Sequence, residues 1–269
     1  MSPGDLERVA QIAREAGRLI MSTYALDFSV DYKGPGDPVT DADREANALI
    51  CAELGRAFPD AAIVAEESDP ATYADYREQE RVFFVDPLDG TREFVAKNGQ
   101  FVVMIGLVVG AASELGVVYA PTTDTLWCGL RGAGAHRIDA DGSKVPIHVG
   151  EVSEPEAATV TVSRSRRSER LKRALQLISP RQVVPLGSAG LKGAQVAQAS
   201  ADVYLAVGTA GKLWDACALD ALVSAAGGRV TDLAGQFVDY RGPQLELAQG
   251  ILACNQTLHA TLAPRLAQS

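Results

Sequence analysis

Apolar residues recur at helical spacing over residues 5–24, where Leu6, Val9, Ile12, Ala13, Ala16, Leu19 and Ile20 fall on one face. That spacing predicts an amphipathic helix. A Gly/Pro-rich loop, YKGPGDPVTDAD, follows. Helical spacing then returns at Ala46, Leu49, Ile50 and Leu54 and runs towards Phe58 and Pro59. Thr40 with Asp43 three residues on has the form of a helix-capping pair. AAIVAEES reads as a short strand ending on Glu66 and Glu67, and DPATYADYREQE as a polar surface loop or loose helix. FVVMIGLVV, SELGVVYAP, TLWCGL and AGAHRI come in a row with short turns between them, which predicts an antiparallel sheet. From residue 157 the rhythm changes. Strand-like ATVTVS, QVVPLG, DVYLAV and GILACN alternate with helix-like RSERLKRALQLI, GLKGAQVAQAS and LWDACALDALVSAAGG. This alternation predicts an α/β half. The polar segment GEVSEPEA, residues 150–157, divides the chain into an N-terminal α+β half (1–150) and a C-terminal α/β half (151–269).

One segment breaks the pattern. VFFVDPLDGTREFV is an apolar run that stops abruptly on Asp86, with Asp89, Gly90 and Thr91 close behind. Taken alone, Asp-Gly is a strong turn dipeptide, and a plain turn explains it as well as a site does. Two other places share the design: AEES ends a strand, and LWDACALD opens a helix on Asp215. Acids at element ends can project into one crevice without entering a core. Oxygen-rich clusters of that kind suit Mg²⁺, and two such ions about 4 Å apart can clamp the attacking and leaving oxygens of a phosphate ester. A helix beginning near Thr91 would offer N–H groups to phosphate, with Gly90 allowing close backbone approach.

Composition narrows the classes. The 269 residues carry a net charge of −9, which argues against a general nucleic-acid binder. Cys51, Cys128, Cys217 and Cys254 are scattered with no C-x-x-C, as expected for free thiols in a reducing cytoplasm. The three histidines (136, 148, 259) have no zinc-ligand spacing. The N-terminal stretch lacks the apolar core of a signal peptide, and no apolar run is long enough to span a membrane. Acids at i and i+3 do not fit a haloacid-dehalogenase-type phosphatase, which needs i and i+2. A non-catalytic metal- or nucleotide-binding module is the alternative from another class.

In order, GDPVTDAD, AEES, DPLDGTREF and LWDACALDALVSAAGG resemble the signature set of the inositol monophosphatase superfamily. The resemblance implies a layered α-β-α-β-α sandwich and a Mg²⁺-dependent, lithium-sensitive phosphomonoesterase using two or three ions. It implies that Glu66, Asp86, the Leu88 carbonyl, Asp89 and Asp215 hold metal. It further implies that Thr91, hydrogen-bonded to Asp43, orients and helps deprotonate the attacking water, and that the N–H groups of Gly90 and Thr91 bind phosphate. Asp86 is then a ligand, and no covalent phospho-enzyme forms.

SRSRRS, GSAGLKG and GTAGKLWDACALD look more like the 3'(2'),5'-bisphosphate nucleotidase branch, which removes the 3'-phosphate from adenosine 3',5'-bisphosphate, a by-product of sulfate assimilation. On that resemblance Ser165, Arg166, Ser188, Lys192 and Lys212 face the substrate. The branch usually reads S-R-S-H where this chain has Arg166, although a guanidinium plane can also stack on a base. LAVGTAGKL lacks the acid that the inositol branch uses for sugar hydroxyls, and Lys212 would suit a second phosphate. Lys192 and Lys212, each taken alone, fit surface solubility as well. Inositol-1-monophosphatase and fructose-1,6-bisphosphatase activity are the neighbouring alternatives. The expected partner is a small anionic phosphate ester, with no nucleic-acid polymer and no membrane, and the chain is expected to act as a monomer or homodimer.

Overall fold

A computed structural model gives the fold and describes residues 1–34 and 37–267. Residues 35 and 36, inside the predicted Gly/Pro-rich loop, and the last two residues of the C-terminal half lie outside the described residues. Helix α1 (Pro3–Tyr24) starts on a capping box between Ser2 and Asp5 and buries Val9, Ile12, Ala13, Ala16 and Ile20, the predicted face. The flanks of the predicted loop form a short antiparallel pair, β1 (Asp31–Gly34) and β2 (Asp37–Val39). Helix α2 (Asp41–Ala57) follows, its first turn fixed by Thr40 and Asp43.

Strands β3 (Ala62–Ala65), β4 (Arg81–Asp89), β5 (Val102–Val109), β6 (Ala112–Ala120), β7 (Thr125–Leu130), β8 (Gly134–Ile138) and β9 (Lys144–Ile147) form a seven-stranded sheet in sequence order, with the five-residue helix α3 (Thr91–Val95) between β4 and β5. Only β3–β4 is parallel. The polar segment before β4 is exposed and loosely helical, within the expected surface loop or loose helix, except for two tyrosines. It makes two 3₁₀ turns and buries Tyr73 and Tyr76, whose rings pack edge-on, with Tyr76 against Phe84.

The second sheet holds β10 (Thr159–Ser163), β11 (Gln182–Leu186), β12 (Val203–Ala206), β13 (Gly228–Thr231) and β14 (Ile251–Asn255), in the order β11-β10-β12-β14-β13. Its β11–β10 and β10–β12 pairings are parallel, and β14 is antiparallel to both of its neighbours, β12 and β13. Helices α4 (Glu169–Ile178), α5 (Ala189–Ala197), α6 (Leu213–Ala225) and α7 (Gln256–Leu266) complete the chain. β9, β13 and α7 are not among the predicted elements. β13 is four residues long and β9 largely exposed, whereas Leu258, Leu262 and Leu266 give α7 a readable helical spacing.

The layers run α1/α2, seven-stranded sheet, α5/α6, five-stranded sheet, α4/α7, the expected sandwich. Side chains alternate accordingly. On β12, Val203 and Leu205 join α4 and α7, while Tyr204 joins α5 and α6. On β4, Phe83 and Val85 face α1 and α2, and Phe84 faces the central helices. Being covered on both faces is why β4 and β5 read as continuous apolar runs.

Helix α6 is seated by three glycines. Gly106, Gly116 and Gly129 are register neighbours across β5, β6 and β7. A Cβ on Gly116 would stand 2.1 Å from the Ala218 carbonyl oxygen, and one on Gly106 2.5 Å from the Ala218 nitrogen. Helix backbone therefore touches sheet backbone, and the seat fixes the height of the helix that carries Asp215.

Candidate active site

In a regular strand, residues i and i+3 point to opposite faces. Asp86 and Asp89 nevertheless line one cavity of about 380 Å³. The β4–β5 pairing slips between these two residues, and such a bulge re-aims the side chains that follow it. The Asp86 carboxylate accepts from the Leu88 N–H (3.0 Å). The Asp89 carboxylate accepts from the Ser188 hydroxyl and the Gly190 N–H (2.7 Å), both at the start of α5. Asp215, the third residue of α6, accepts from the Lys212 N–H (2.7 Å). A Cβ on Gly211 would sit 2.6 Å from the Asp215 carboxylate, so glycine makes room for it.

One oxygen from each of Asp86, Asp89 and Asp215 lies within 4.8 Å of the other two. Burial, then the charges of Asp89 and Glu66, lift Asp215 to about 8. Burial, then Glu66, Asp89 and Asp215, push Asp86 well above the usual carboxylate range. Carboxylates gathered this closely away from water call for protons or a cation. An all-oxygen donor set fits a hard divalent ion such as Mg²⁺.

Glu66 lines the same cavity, but its carboxylate is ion-paired to Lys33 of β1, which spans Glu66 and Glu67 at 2.7 Å each. Burial raises the Glu66 pKa and Lys33 opposes that rise. Thr91 opens α3, as expected, after Gly90 in a left-handed conformation (φ 105°). A side chain at Gly90 would come within 2.9 Å of the Gln100 carbonyl. The Thr91 hydroxyl donates to Asp43 (2.9 Å) and also lies 3.3 Å from the Leu88 carbonyl oxygen. The other Asp43 oxygen accepts from the Thr40 N–H (2.8 Å) and hydroxyl (2.6 Å). Burial raises the Asp43 pKa against these bonds.

Across the cavity stand the cations. Lys192 is buried rather than a surface solubiliser. It donates to the Ser188 carbonyl and lies 5.1 Å from the centre of the Tyr204 ring, and burial lowers its pKa to about 8. Lys212 is exposed and rests over Trp214 (4.8 Å). Arg166 donates to the Thr209 carbonyl (2.7 Å), and the exposed Ser165 lies beside it. The cavity thus joins Asp86, Asp89, Asp215, Glu66, Leu88, Gly90 and Thr91 to Ser165, Arg166, Ser188, Lys192 and Lys212. Asp43 reaches it through Thr91. Lys33, Tyr204 and Glu93 also belong here and were not singled out from the pattern. Glu93 lay within the quoted motif, but α3 is too short for periodicity to mark it as buried.

The described helices include none long and apolar enough to cross a membrane, and all four cysteines are free, with three buried and Cys51 half-buried.

The 3'(2'),5'-bisphosphate nucleotidase CysQ of Buchnera aphidicola is 36% identical over 237 residues, 87% of this chain and 87% of that protein. CysQ of Escherichia coli K12 is 35% identical over 87% of this chain and 93% of its own length. The solved structure of the extragenic suppressor protein suhB from Bartonella henselae superposes with a TM-score of 0.84 at 28% identity, covering 99% of both chains. Inositol monophosphatase from Anabaena superposes with a TM-score of 0.77 at 26% identity, covering 98% of this chain and 96% of its own. The family model described as the inositol monophosphatase family matches residues 5–269, and the chain belongs to that family.

Proposed function

We propose that the protein is a Mg²⁺-dependent phosphomonoesterase that removes the 3'-phosphate from a 3',5'-bisphosphate nucleotide such as adenosine 3',5'-bisphosphate. The observation that carries the reading is one cavity with Asp86, Asp89 and Asp215 converging at one end and Arg166, Lys192 and Lys212 gathered around the rest. Similarity to the CysQ nucleotidases supports the substrate class. So does the lack of an acid in residues 205–213 for sugar hydroxyls.

Asp86, Asp89 and Asp215, with Glu66 and the Leu88 carbonyl, would hold two or three ions. Bound there, the ions supply Lewis-acid stabilisation of the charge that develops on the phosphoryl oxygens. The Thr91 hydroxyl donates a hydrogen bond to Asp43, which leaves its lone pairs to accept from the attacking water and aim it. Asp43, buried and held by Thr40, is placed to share the proton that the water loses. The N–H groups of Gly90 and Thr91 contact the phosphate under attack. Lys192, Lys212 and Arg166 receive the second phosphate and the base, and charge-assisted contacts of this kind are strong. Ser165 and Ser188 contribute from the same loops, Ser188 also orienting Asp89. Free thiols support a cytoplasmic location.

The test is phosphate release from adenosine 3',5'-bisphosphate and inositol 1-phosphate side by side, with and without Mg²⁺. The reading expects strict Mg²⁺ dependence and a higher kcat/KM for the bisphosphate. Better turnover of inositol 1-phosphate would overturn the nucleotidase assignment, and metal-independent turnover the phosphatase mechanism.

A further inference from the structure

The cavity is built from two sheets, and something must hold their loops in register. Of the acid end, Asp86 and Asp89 belong to β4 of the seven-stranded sheet, which leads into α3, and Asp215 to α6. Ser165 and Arg166 ride on the loop after β10, and Gly187 and Ser188 on the loop after β11, both of the five-stranded sheet. Glu93 lies where these pieces meet. It is the third residue of α3, two positions after Thr91, and its side chain is 9% exposed. One of its carboxylate oxygens accepts from the guanidinium of Arg164 and from the Asn98 side-chain amide. Its stem packs on Gly187, where a Cβ would stand 2.6 Å from Glu93 Cγ. The Gly187 N–H in turn donates to the side chain of Gln100 (2.8 Å).

Arg164 is the link to the substrate side. Its backbone N–H bonds the Leu186 carbonyl (3.2 Å), which continues the β10–β11 pairing, while its side chain crosses to Glu93. Ser165 and Arg166 are the next two residues and line the cavity. The expectation of a substrate-contacting arginine attached only to Arg166. Arg164 does not line the cavity, and its charge is spent on Glu93.

We infer that Glu93 is a positioning residue: through Arg164 it fixes the Ser165–Arg166 segment over the cavity and thereby sets affinity for the part of the substrate remote from the phosphate under attack. The inference deepens the nucleotidase reading and rests on it for the identity of that remote part. The contact suits the role because the Glu93 side chain is only 9% exposed, and losing the 40%-exposed Arg164 would leave that carboxylate with the neutral Asn98 amide in place of a cation. The pair therefore resists any opening of this loop away from α3.

Two readouts separate this inference from the reading it rests on. Glu93→Gln, Arg164→Gln and the double variant are compared with wild type by hydrogen–deuterium exchange without substrate and by steady-state kinetics on adenosine 3',5'-bisphosphate and inositol 1-phosphate. Faster exchange over 163–168 in each variant, with 84–91 unchanged, is the expected structural result. For the bisphosphate, KM should rise about 10-fold or more, the scale of a lost charged hydrogen bond, with kcat held within about 2-fold. KM for inositol 1-phosphate should move far less. The double variant should be no worse than either single one, as for two residues that act as a unit. Unchanged exchange at 163–168, multiplicative losses, or an equal fall in kcat for both substrates would each overturn the role of Glu93. A wild type that does not prefer the bisphosphate overturns the nucleotidase reading instead, and the exchange result still decides whether Glu93 holds the loop.

Discussion

Replacing Gly116 by alanine should damage the active site from the far side of a helix. The added Cβ would stand 2.1 Å from the Ala218 carbonyl oxygen and 3.0 Å from its carbonyl carbon. Both atoms belong to helix backbone, so no side chain can swing aside. To restore contact, α6 must lift by about 1 Å in a core packed as tightly as an organic crystal. Overpacking of this kind costs about 1–3 kcal/mol, and a backbone-to-backbone clash belongs at the upper end. At about 2.1 cal/mol/K per residue over 269 residues, 3 kcal/mol corresponds to a fall in Tm of roughly 5 °C. Asp215 lies three residues before Ala218 on the same helix, so it moves away from Asp86 and Asp89. A shift of about 1 Å can cost on the order of 10²-fold in turnover. Thermal unfolding and phosphate release would be measured on the same preparation. Gly55→Ala is the matched control: Gly55 lies in α2 with open space around it. There alanine should stabilise, by up to about 1 kcal/mol, and leave turnover alone. A Gly116→Ala protein with wild-type Tm and turnover would refute the argument that this glycine seats α6.

Asp215→Asn should nearly abolish turnover yet stabilise the metal-free protein. The folded-state pKa of Asp215, about 8, lies above the ordinary 3.8, so in that window the folded state binds more protons than the unfolded one and stability falls as pH rises. Thermal unfolding in a chelator from pH 5 to 8 should show wild-type Tm falling and a flatter profile in the variant, and a wild-type Tm that climbs over this range would contradict the repulsion. Mg²⁺ at 100 times its Kd should restore about 2.7 kcal/mol to the wild type, and no shift would count against a metal site. Thr91→Ala and Asp43→Asn should each lower kcat roughly 10²–10⁴-fold with little change in KM, and the double variant should be little worse; multiplicative losses would separate the two residues. Lys192→Ala should raise KM for adenosine 3',5'-bisphosphate more than for inositol 1-phosphate, and an equal rise would argue against its contact with the second phosphate.

The order of apolar and polar residues was enough to read the two-part rhythm of the chain and most of its elements, and its motifs marked Asp86, Asp89 and Asp215, which meet in one cavity. Helices α1 and α2 were legible because each lies on one sheet face and keeps a polar side. Strands β4 and β5 were legible as apolar runs because helices cover both of their faces. The motif DPLDGT marked an interruption, but its spacing alone would send Asp86 and Asp89 to opposite faces. Tertiary structure decided otherwise, because the slip in the β4–β5 pairing turns both carboxylates into one cavity. It also decided that Lys192 is buried, that Lys33 clasps Glu66, and that Glu93 meets Arg164 across the two sheets. These contacts join residues 33 to 71 positions apart, or depend on which face a short element presents. Periodicity reports only a residue's own element, so contacts set by the packing of one layer on another leave no trace in it.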